Sequence, residues 1–139
     1  AAATDAGVEL VAQPLPPDGD DELGGLDAPI PIGADESCRP AADVSGLVGK
    51  YQVGVIKLDK AGGLTAAMEL SSALADAGLD RMVSCMISTS LGMAPARYVG
   101  VDCSIVDLDG PMNLAVDRDP PIPYDRGRMG LTPNDLWVG

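Results

Sequence analysis

Charged side chains lie at the ends of three predicted strands in this sequence. Asp35 follows one apolar run, Lys57 ends the next, and Asp107 and Asp109 lie at the end of a later one. The carboxyl ends of parallel strands are the usual position of an active site in folds that alternate strands and helices. A carboxylate can bind a hard cation, and a lysine can take up or deliver a proton. The sequence therefore predicts a site for cation binding and proton transfer.

The composition narrows the chemistry further. The sequence contains no histidine, so this chain alone supplies no Ser-His-Asp triad, Cys-His pair or imidazole zinc site. Acidic residues outnumber basic ones by 21 to 9, and the net charge is −12. Nucleic acid and anionic membranes are therefore poor partners. Carboxylates suit Mg²⁺, which prefers oxygen ligands in a near-octahedral arrangement.

The cysteines and the apolar runs indicate a soluble, cytoplasmic protein. Cys38, Cys85 and Cys103 are odd in number and lack the spacing of a disulfide framework, which predicts reduced thiols. The apolar runs have the length of strands rather than of membrane spans. No charged segment followed by an apolar one opens the sequence, so we expect no signal peptide.

The elements that position these side chains alternate along the chain. Five strands are predicted at 8–12, 30–34, 52–57, 82–86 and 104–108, and helical segments at 20–26, 40–48, 64–77 and 91–99. The strands recur about every 22 to 27 residues, which predicts an α/β fold with repeated βα units and a parallel sheet. An open doubly wound sheet and a closed barrel both fit this pattern. Five strands cannot close an eight-stranded barrel.

Both ends of the sequence differ from this pattern. Residues 1–6 are typical of the last turns of a helix closed by Gly7, and no methionine precedes them, which predicts a fragment. Beyond residue 111 the sequence is rich in proline and charge, with a turn at Arg126-Gly127. We therefore expect the βα units to occupy residues 1–111 and residues 112–139 to form a tail.

Five motifs follow one another at regular spacing. They are 9–14, Ala34-Asp35-Glu36-Ser37, Ile56-Lys57 with the Gly62-Gly63 that follows, 85–92, and Asp107-Leu108-Asp109-Gly110-Pro111. In this order they resemble strands four to eight of the enolase superfamily, within its muconate-lactonizing-type subgroup and closest to the dipeptide epimerases. The resemblance implies the C-terminal part of a (β/α)₈ TIM barrel. Residues 1–111 would be a partial barrel domain, and residues 112–139 would return toward a capping domain.

The resemblance also implies a chemistry. In that family a divalent metal, usually Mg²⁺, binds the substrate carboxylate and stabilises the enediolate formed when the α-proton leaves. Asp35 would be one of three metal carboxylates, and Lys57 one of two lysines on opposite sides of the α-carbon. The alternatives are a carboxylate at a helix N-terminus for Asp35 and a solvent-exposed side chain for Lys57. Lys60 is expected on the surface, and Glu36 is expected to orient its neighbours.

Asp107 and Asp109 are predicted to bind the substrate. Residues two apart on a strand face the same side, so both carboxylates can point into the barrel mouth. The resemblance to dipeptide epimerases implies that they bind the free α-ammonium group of a dipeptide. A turn at Asp109-Gly110-Pro111, with one aspartate solvated, is the alternative. We favour substrate binding for Asp107 and leave the two interpretations of Asp109 open.

The sequence departs from the family pattern at Ala12. The family has a metal-binding glutamate before Gln-Pro at the end of the fourth strand, whereas this chain has Ala12 before Gln13-Pro14. A methyl group cannot bind a metal, and Glu9 lies three residues away on the opposite strand face. The capping domain and the first three barrel strands, with the partner lysine and the first metal aspartate, are expected to be missing.

These observations lead to a functional expectation. The parent protein is predicted to be a Mg²⁺-dependent dipeptide epimerase-like isomerase, a possible homo-oligomer, that acts on a small-molecule dipeptide, and this chain alone is expected to be inactive. Members that racemize N-acylamino acids, make o-succinylbenzoate or cycloisomerize muconate are alternatives. A catalytically dead paralogue, marked by Ala12, is a further alternative.

Overall fold

The computed structural model of the chain describes residues 2–138. The strands are β1 (Val11–Ala12), β2 (Ile32–Ala34), β3 (Val53–Lys57), β4 (Asp80–Ser84), β5 (Ile105–Val106), β6 (Tyr124–Asp125) and β7 (Arg128–Met129). The α-helices are α1 (Ala2–Asp5), α2 (Leu58–Ala61), α3 (Leu64–Asp76) and α4 (Ser90–Gly100). Three 3₁₀ helices cover Pro17–Leu23, Ala41–Leu47 and Gly110–Asn113.

The first five strands form one parallel sheet in the order β1-β2-β3-β4-β5, so each strand pairs with its neighbours in sequence. The sheet curls into a half-barrel. This arrangement confirms the predicted α/β fold and parallel sheet. In register, Ala12 lies beside Gly33, and Lys57 lies beside Ser84. The carboxyl ends of the strands therefore meet along one edge, where the candidate side chains lie.

The centre of the core is β3, whose first four residues are all buried. Successive residues of a strand face opposite sides, so Val53, Val55 and Lys57 share one face and Gly54 lies on the other. Gly54 faces α3, because a Cβ atom built there would lie 2.5 Å from Leu74 Cδ1. Lys57 therefore projects from the inner face of the curled sheet, away from the helix.

Helix α3 approaches the sheet so closely that only glycine fits at position 54. We expect Gly54→Ala to destabilise the fold by about 1–3 kcal/mol, because the new methyl group overlaps the fully buried Leu74 side chain. Gly46→Ala is the matched control, since a Cβ there meets no atom within 4 Å. Urea denaturation of the two variants measures the difference, and equal midpoints would contradict the proposed overlap.

The predicted helical segments 20–26 and 40–48 correspond to 3₁₀ helices. Pro17–Leu23 buries only Leu23, so it has no apolar stripe to support a longer helix. Ala41–Leu47 buries Val44 and Leu47, and a three-residue turn brings residues three apart to the same side. Helix α3 agrees with the predicted segment 64–77, and its buried residues are Ala67, Leu70, Ser71 and Leu74.

The tail beyond residue 111 packs partly on the sheet domain itself. Ile122 and Leu136 are buried in the same core as the βα units. Asp117 accepts a hydrogen bond of 2.8 Å from the Ser90 backbone N–H at the start of α4. The predicted turn at Arg126-Gly127 is confirmed, since both residues have positive φ between β6 and β7, as a tight hairpin requires.

Within the described residues, none of the helices combines the length and apolar character needed to span a bilayer.

Candidate active site

The structure brings Asp35 and Lys57 together at the carboxyl edge of the sheet. Lys57 Nζ lies 2.8 Å from Asp35 Oδ2, and the two side chains are 15% and 16% exposed. Lys60 Nζ donates to the other carboxylate oxygen, Oδ1, and to the Asp35 carbonyl oxygen. One carboxylate is therefore held between two ammonium groups.

The local sequence explains how three charges converge. Asp35 directly follows β2, and Lys57 is the last residue of the adjacent β3. The single turn of α2 then carries Lys60, three residues beyond Lys57, back over the same strand ends. The prediction of Lys60 as a surface residue is wrong. The Lys-x-x-Lys spacing at a strand-to-helix junction is the sequence signal that could have identified it.

The electrostatics of the cluster follow from this geometry. Partial burial raises the pKa of Asp35, but the hydrogen bonds from Lys57 and Lys60 outweigh it and hold the pKa below its usual range. Asp35 is therefore ionised at neutral pH. Two ammonium groups and one carboxylate leave a local positive charge in a chain of net charge −12. Such a cluster suits an anionic group such as a substrate carboxylate.

The described residues do not by themselves fit a divalent metal. No three acidic or cysteine side chains among residues 2–138 are arranged to hold an ion. Both Asp35 oxygens accept hydrogen bonds from lysines, so a cation there would have to displace them. Ala12, beside Gly33 at the end of β1, offers only a methyl group. Among the described residues, Asp35 is therefore the predicted metal carboxylate that lies at this edge of the sheet.

Asp107 lies two strands away from Lys57. It follows β5 and accepts a hydrogen bond of 3.3 Å from Ser84 Oγ, and Ser84 lies beside Lys57 in the sheet. Asp107 and Asp109 are exposed, and Leu108 between them is buried, so the two carboxylates share the solvent side of this segment. The Asp109 carbonyl accepts the Met112 N–H at the start of a 3₁₀ helix, as the predicted turn requires.

A cavity of about 280 Å³ lies beside the two aspartates. It is lined by Asp107, Asp109, Met112, Tyr124 and Met129 among others. Tyr124 Oη donates to the Leu108 carbonyl at 2.6 Å, and burial raises the pKa of this phenol to about 12. The tyrosine therefore stays neutral, and the anionic groups at this cavity are the carboxylates.

Relatives of known activity match almost the whole chain. It is 45% identical over 132 residues to an N-acetyl-D-glutamate racemase from Pseudoalteromonas, and 40% identical over 127 residues to the L-Ala-D/L-Glu epimerase of Escherichia coli. The matches cover 95% and 91% of this chain. No family model matches the sequence.

Solved structures agree with these relatives. An enolase family member from Agrobacterium tumefaciens, with homology to dipeptide epimerases and with sodium and L-Ala-L-Glu bound, superposes with a TM-score of 0.94 at 41% identity. That match covers 98% of this chain and 42% of the other. The chain is a homologue of enolase-superfamily dipeptide epimerases.

These matches confirm the predicted resemblance to the enolase superfamily and the predicted TIM-barrel architecture. The dipeptide epimerase from Methylococcus capsulatus, solved with Mg and L-Arg-D-Lys, matches at 33% identity with a TM-score of 0.77 over 84% of this chain and 35% of that one. This chain spans about two fifths of the length of the curated relatives that it matches, 42% and 40% for the two above. It corresponds to part of the superfamily's TIM barrel.

One side chain that contacts the Asp35 loop, Gln13, is not among the predicted site residues. Gln13 accepts backbone hydrogen bonds from Asp35 and Ser37 through its side-chain oxygen. Glu36, which was predicted to orient its neighbours, is exposed instead. In the sequence Gln13 serves only to mark the position of Ala12, and no pattern of residue types indicates that its side chain reaches the Asp35 loop.

Proposed function

We propose that the complete protein containing this chain is a dipeptide epimerase-like isomerase that transfers a proton at the α-carbon of its substrate. The observation that carries the proposal is the position of the Lys57 amine. It lies on the inner face of the half-barrel at the carboxyl end of β3, 2.8 Å from Asp35 Oδ2. Homology to dipeptide epimerases supports the substrate class.

Lys57 is suited to one half of such a reaction. A 1,1-proton transfer removes the α-proton from one face and returns a proton to the other, so the substrate gains and loses one proton. Lys57 would exchange a proton on its own face, and a group from outside residues 2–138 would serve the other face. The extra positive charge of Lys60 would favour binding of the carboxylate next to the α-carbon.

We propose Mg²⁺ as the cofactor of the complete protein, because a Methylococcus capsulatus dipeptide epimerase was solved with Mg. A divalent ion supplies electrostatic stabilisation of the charge that develops on a substrate carboxylate. Among residues 2–138, Asp35 is the candidate ligand at the site, and its oxygens already accept hydrogen bonds from lysines. The remaining ligands would come from other parts of the complete protein.

A second activity is supported by the relative from Pseudoalteromonas. That protein is an N-acetyl-D-glutamate racemase and is 45% identical to this chain, which favours the N-acylamino acid racemase alternative. Both reactions exchange an α-proton, so the lysine chemistry is the same. They differ in whether the substrate carries a free ammonium group.

Deuterium incorporation tests the function and separates the two activities. The complete protein with Mg²⁺ in D₂O is expected to exchange the α-proton of the glutamate residue in L-Ala-L-Glu, followed by ¹H NMR. N-acetyl-glutamate is measured in parallel. Exchange of the dipeptide alone supports an epimerase, and exchange of the acylated amino acid alone supports the racemase. Exchange of neither substrate would contradict the proposal.

Asp107 is expected to govern the choice between these substrates. We expect Asp107→Asn to lower kcat/KM for L-Ala-L-Glu by about tenfold, because it removes a charge that would pair with the ammonium. Exchange of N-acetyl-glutamate should change by less than about twofold. Asp102→Asn, another exposed aspartate, is the charge-matched control. Equal effects of Asp107→Asn on both substrates would assign the residue another role.

The proposal includes the organisation predicted from the sequence. Residues 1–111 would form part of the barrel domain, and residues 112–139 would extend toward a capping domain. A cytoplasmic location and assembly into a homo-oligomer are further parts of the proposal.

A further inference from the structure

Gln13 contacts both ends of the loop that carries Asp35. Its side-chain oxygen Oε1 accepts the backbone N–H of Asp35 at 2.9 Å and the backbone N–H of Ser37 at 3.1 Å. Its own backbone N–H donates to the Gly33 carbonyl at 2.8 Å. A single residue at the end of β1 therefore holds the backbone on either side of the site carboxylate.

The nitrogen end of the same amide is fixed as well. Gln13 Nε2 lies 2.7 Å from the Leu15 carbonyl, 2.9 Å from Tyr51 Oη and 3.0 Å from Ser37 Oγ. Tyr51 is 2% exposed and donates its own proton to Asp20, so it can accept one from Gln13. Turning the amide over would place its NH₂ group against two N–H donors, so the hydrogen bonds define one orientation.

The backbone of Gln13 lies in an unfavourable region. Its φ is 43°, in the left-handed region that residues other than glycine, asparagine and aspartate seldom occupy. Such strain persists when the surrounding contacts outweigh it, and it is concentrated at functional sites. The contacts that hold this conformation are those that reach the Asp35 loop.

We propose that Gln13 is a positioning residue for Asp35, and through it for Lys57 and Lys60. The amide fixes the start of the loop after β2, so the carboxylate projects between the two ammonium groups. Loss of the two accepted hydrogen bonds frees the loop, and Lys57 then loses its fixed partner. The inference rests on the proposed function, because the group being positioned is the proposed proton-transfer lysine.

The side chain requirements are specific. The loop needs an oxygen that accepts two backbone N–H groups, and the Leu15, Tyr51 and Ser37 acceptors need a donor. Glutamine provides both, whereas methionine has a similar length and provides neither. Glutamate retains the acceptor and lacks the donor, so it tests the two hydrogen bonds accepted from the Asp35 and Ser37 backbone without the contacts of Nε2.

Gln52 provides a matched control in the same sheet. Its side-chain Oε1 accepts the Ile32 backbone N–H at 2.9 Å, at the amino-terminal end of β2. Gln52→Met therefore removes the same kind of hydrogen bond from the opposite end of the strand that leads to Asp35. Any effect shared by the two methionine variants is a general loss of stability.

The test uses the complete protein with three variants, Gln13→Met, Gln13→Glu and Gln52→Met. Hydrogen exchange by mass spectrometry measures the amides of residues 33–38, and kcat and KM are measured for α-proton exchange. For Gln13→Met we expect at least tenfold faster amide exchange at 35 and 37, and kcat lower by about 10- to 100-fold with KM within about threefold. Gln13→Glu should keep the two amides protected. Gln52→Met should keep both kcat and that protection.

Specific outcomes overturn the inference. Unchanged amide protection in Gln13→Met shows that the side chain does not hold the loop, and equal kcat losses in the Gln13 and Gln52 methionine variants show a general stability effect. If Gln13→Met does not fold, loss of protection in Gln13→Glu overturns the proposal, and retained protection supports it. An inactive wild-type protein refutes the proposed function, whereas amide exchange still tests the contact between Gln13 and the loop.

Discussion

Lys57→Ala is expected to lower α-proton exchange by the complete protein by about 10²- to 10⁴-fold, the usual contribution of a positioned general acid or base. Lys57 is the last residue of β3 on the inner face of the sheet, and its Nζ lies 2.8 Å from Asp35 Oδ2. Because the effect is chemical, kcat should fall much more than KM rises.

Lys57→Arg separates proton transfer from charge. Arginine retains the positive charge and can still pair with Asp35, but it is not deprotonated in proteins. We therefore expect a loss of exchange close to that of the alanine variant, together with retained stability. Lys50→Ala is the control, because Lys50 pairs with Asp21, whose side chain is 95% exposed. Activity of Lys57→Arg near that of the wild type would assign Lys57 a purely electrostatic role.

Ala12→Glu is expected to strengthen Mg²⁺ binding by the complete protein at least tenfold and to raise the rate of α-proton exchange. The new carboxylate would enter at the end of β1, beside Gly33 and one strand away from Asp35. A divalent ion gains affinity and fixed geometry from each added carboxylate. The bound ion would also draw the Asp35 carboxylate away from Lys57 and Lys60, which now donate hydrogen bonds to both of its oxygens.

Calorimetric titration with Mg²⁺ and deuterium exchange, on both versions in one buffer, measure these changes. Ala12→Gln is the control, because it adds similar volume without charge. Tight Mg²⁺ binding and full exchange with Ala12 in place would mean that another group supplies the ligand. Stronger Mg²⁺ binding by Ala12→Glu without faster exchange would support the catalytically dead paralogue.

The sequence predicts the order and bounds of the main strands and helices well, because these depend on local patterns of apolar and polar residues. The apolar run around Val55 and the amphipathic segment that ends before Gly78 define β3 and α3 within two residues. The same alternation places Asp35 and Lys57 on adjacent strand ends, and the structure brings them into contact. Strand β1 is shorter than predicted, with two residues in place of 8–12.

The surroundings of Asp35 were predicted less well, because they depend on side-chain reach and on backbone torsion. Lys60 follows a predicted strand and resembles a surface residue in the sequence, but the single turn of α2 directs it back toward the strand ends. The position of Gln13 depends on its left-handed backbone, which no pattern of residue types indicates. Glu36, which directly follows Asp35, was expected to orient its neighbours, but its side chain is exposed to solvent.

The neighbour-to-neighbour order of the sheet also bears on how the chain folds during synthesis. Paired residues of adjacent strands lie between 20 positions apart, as for Gly33 and Val53, and 27 positions apart, as for Val53 and Asp80. Each strand that leaves the ribosome therefore meets a partner that has already been synthesised. Contacts of short sequence separation close small loops, which favours fast folding. The half-barrel can thus grow one βα unit at a time, from β1 toward β5.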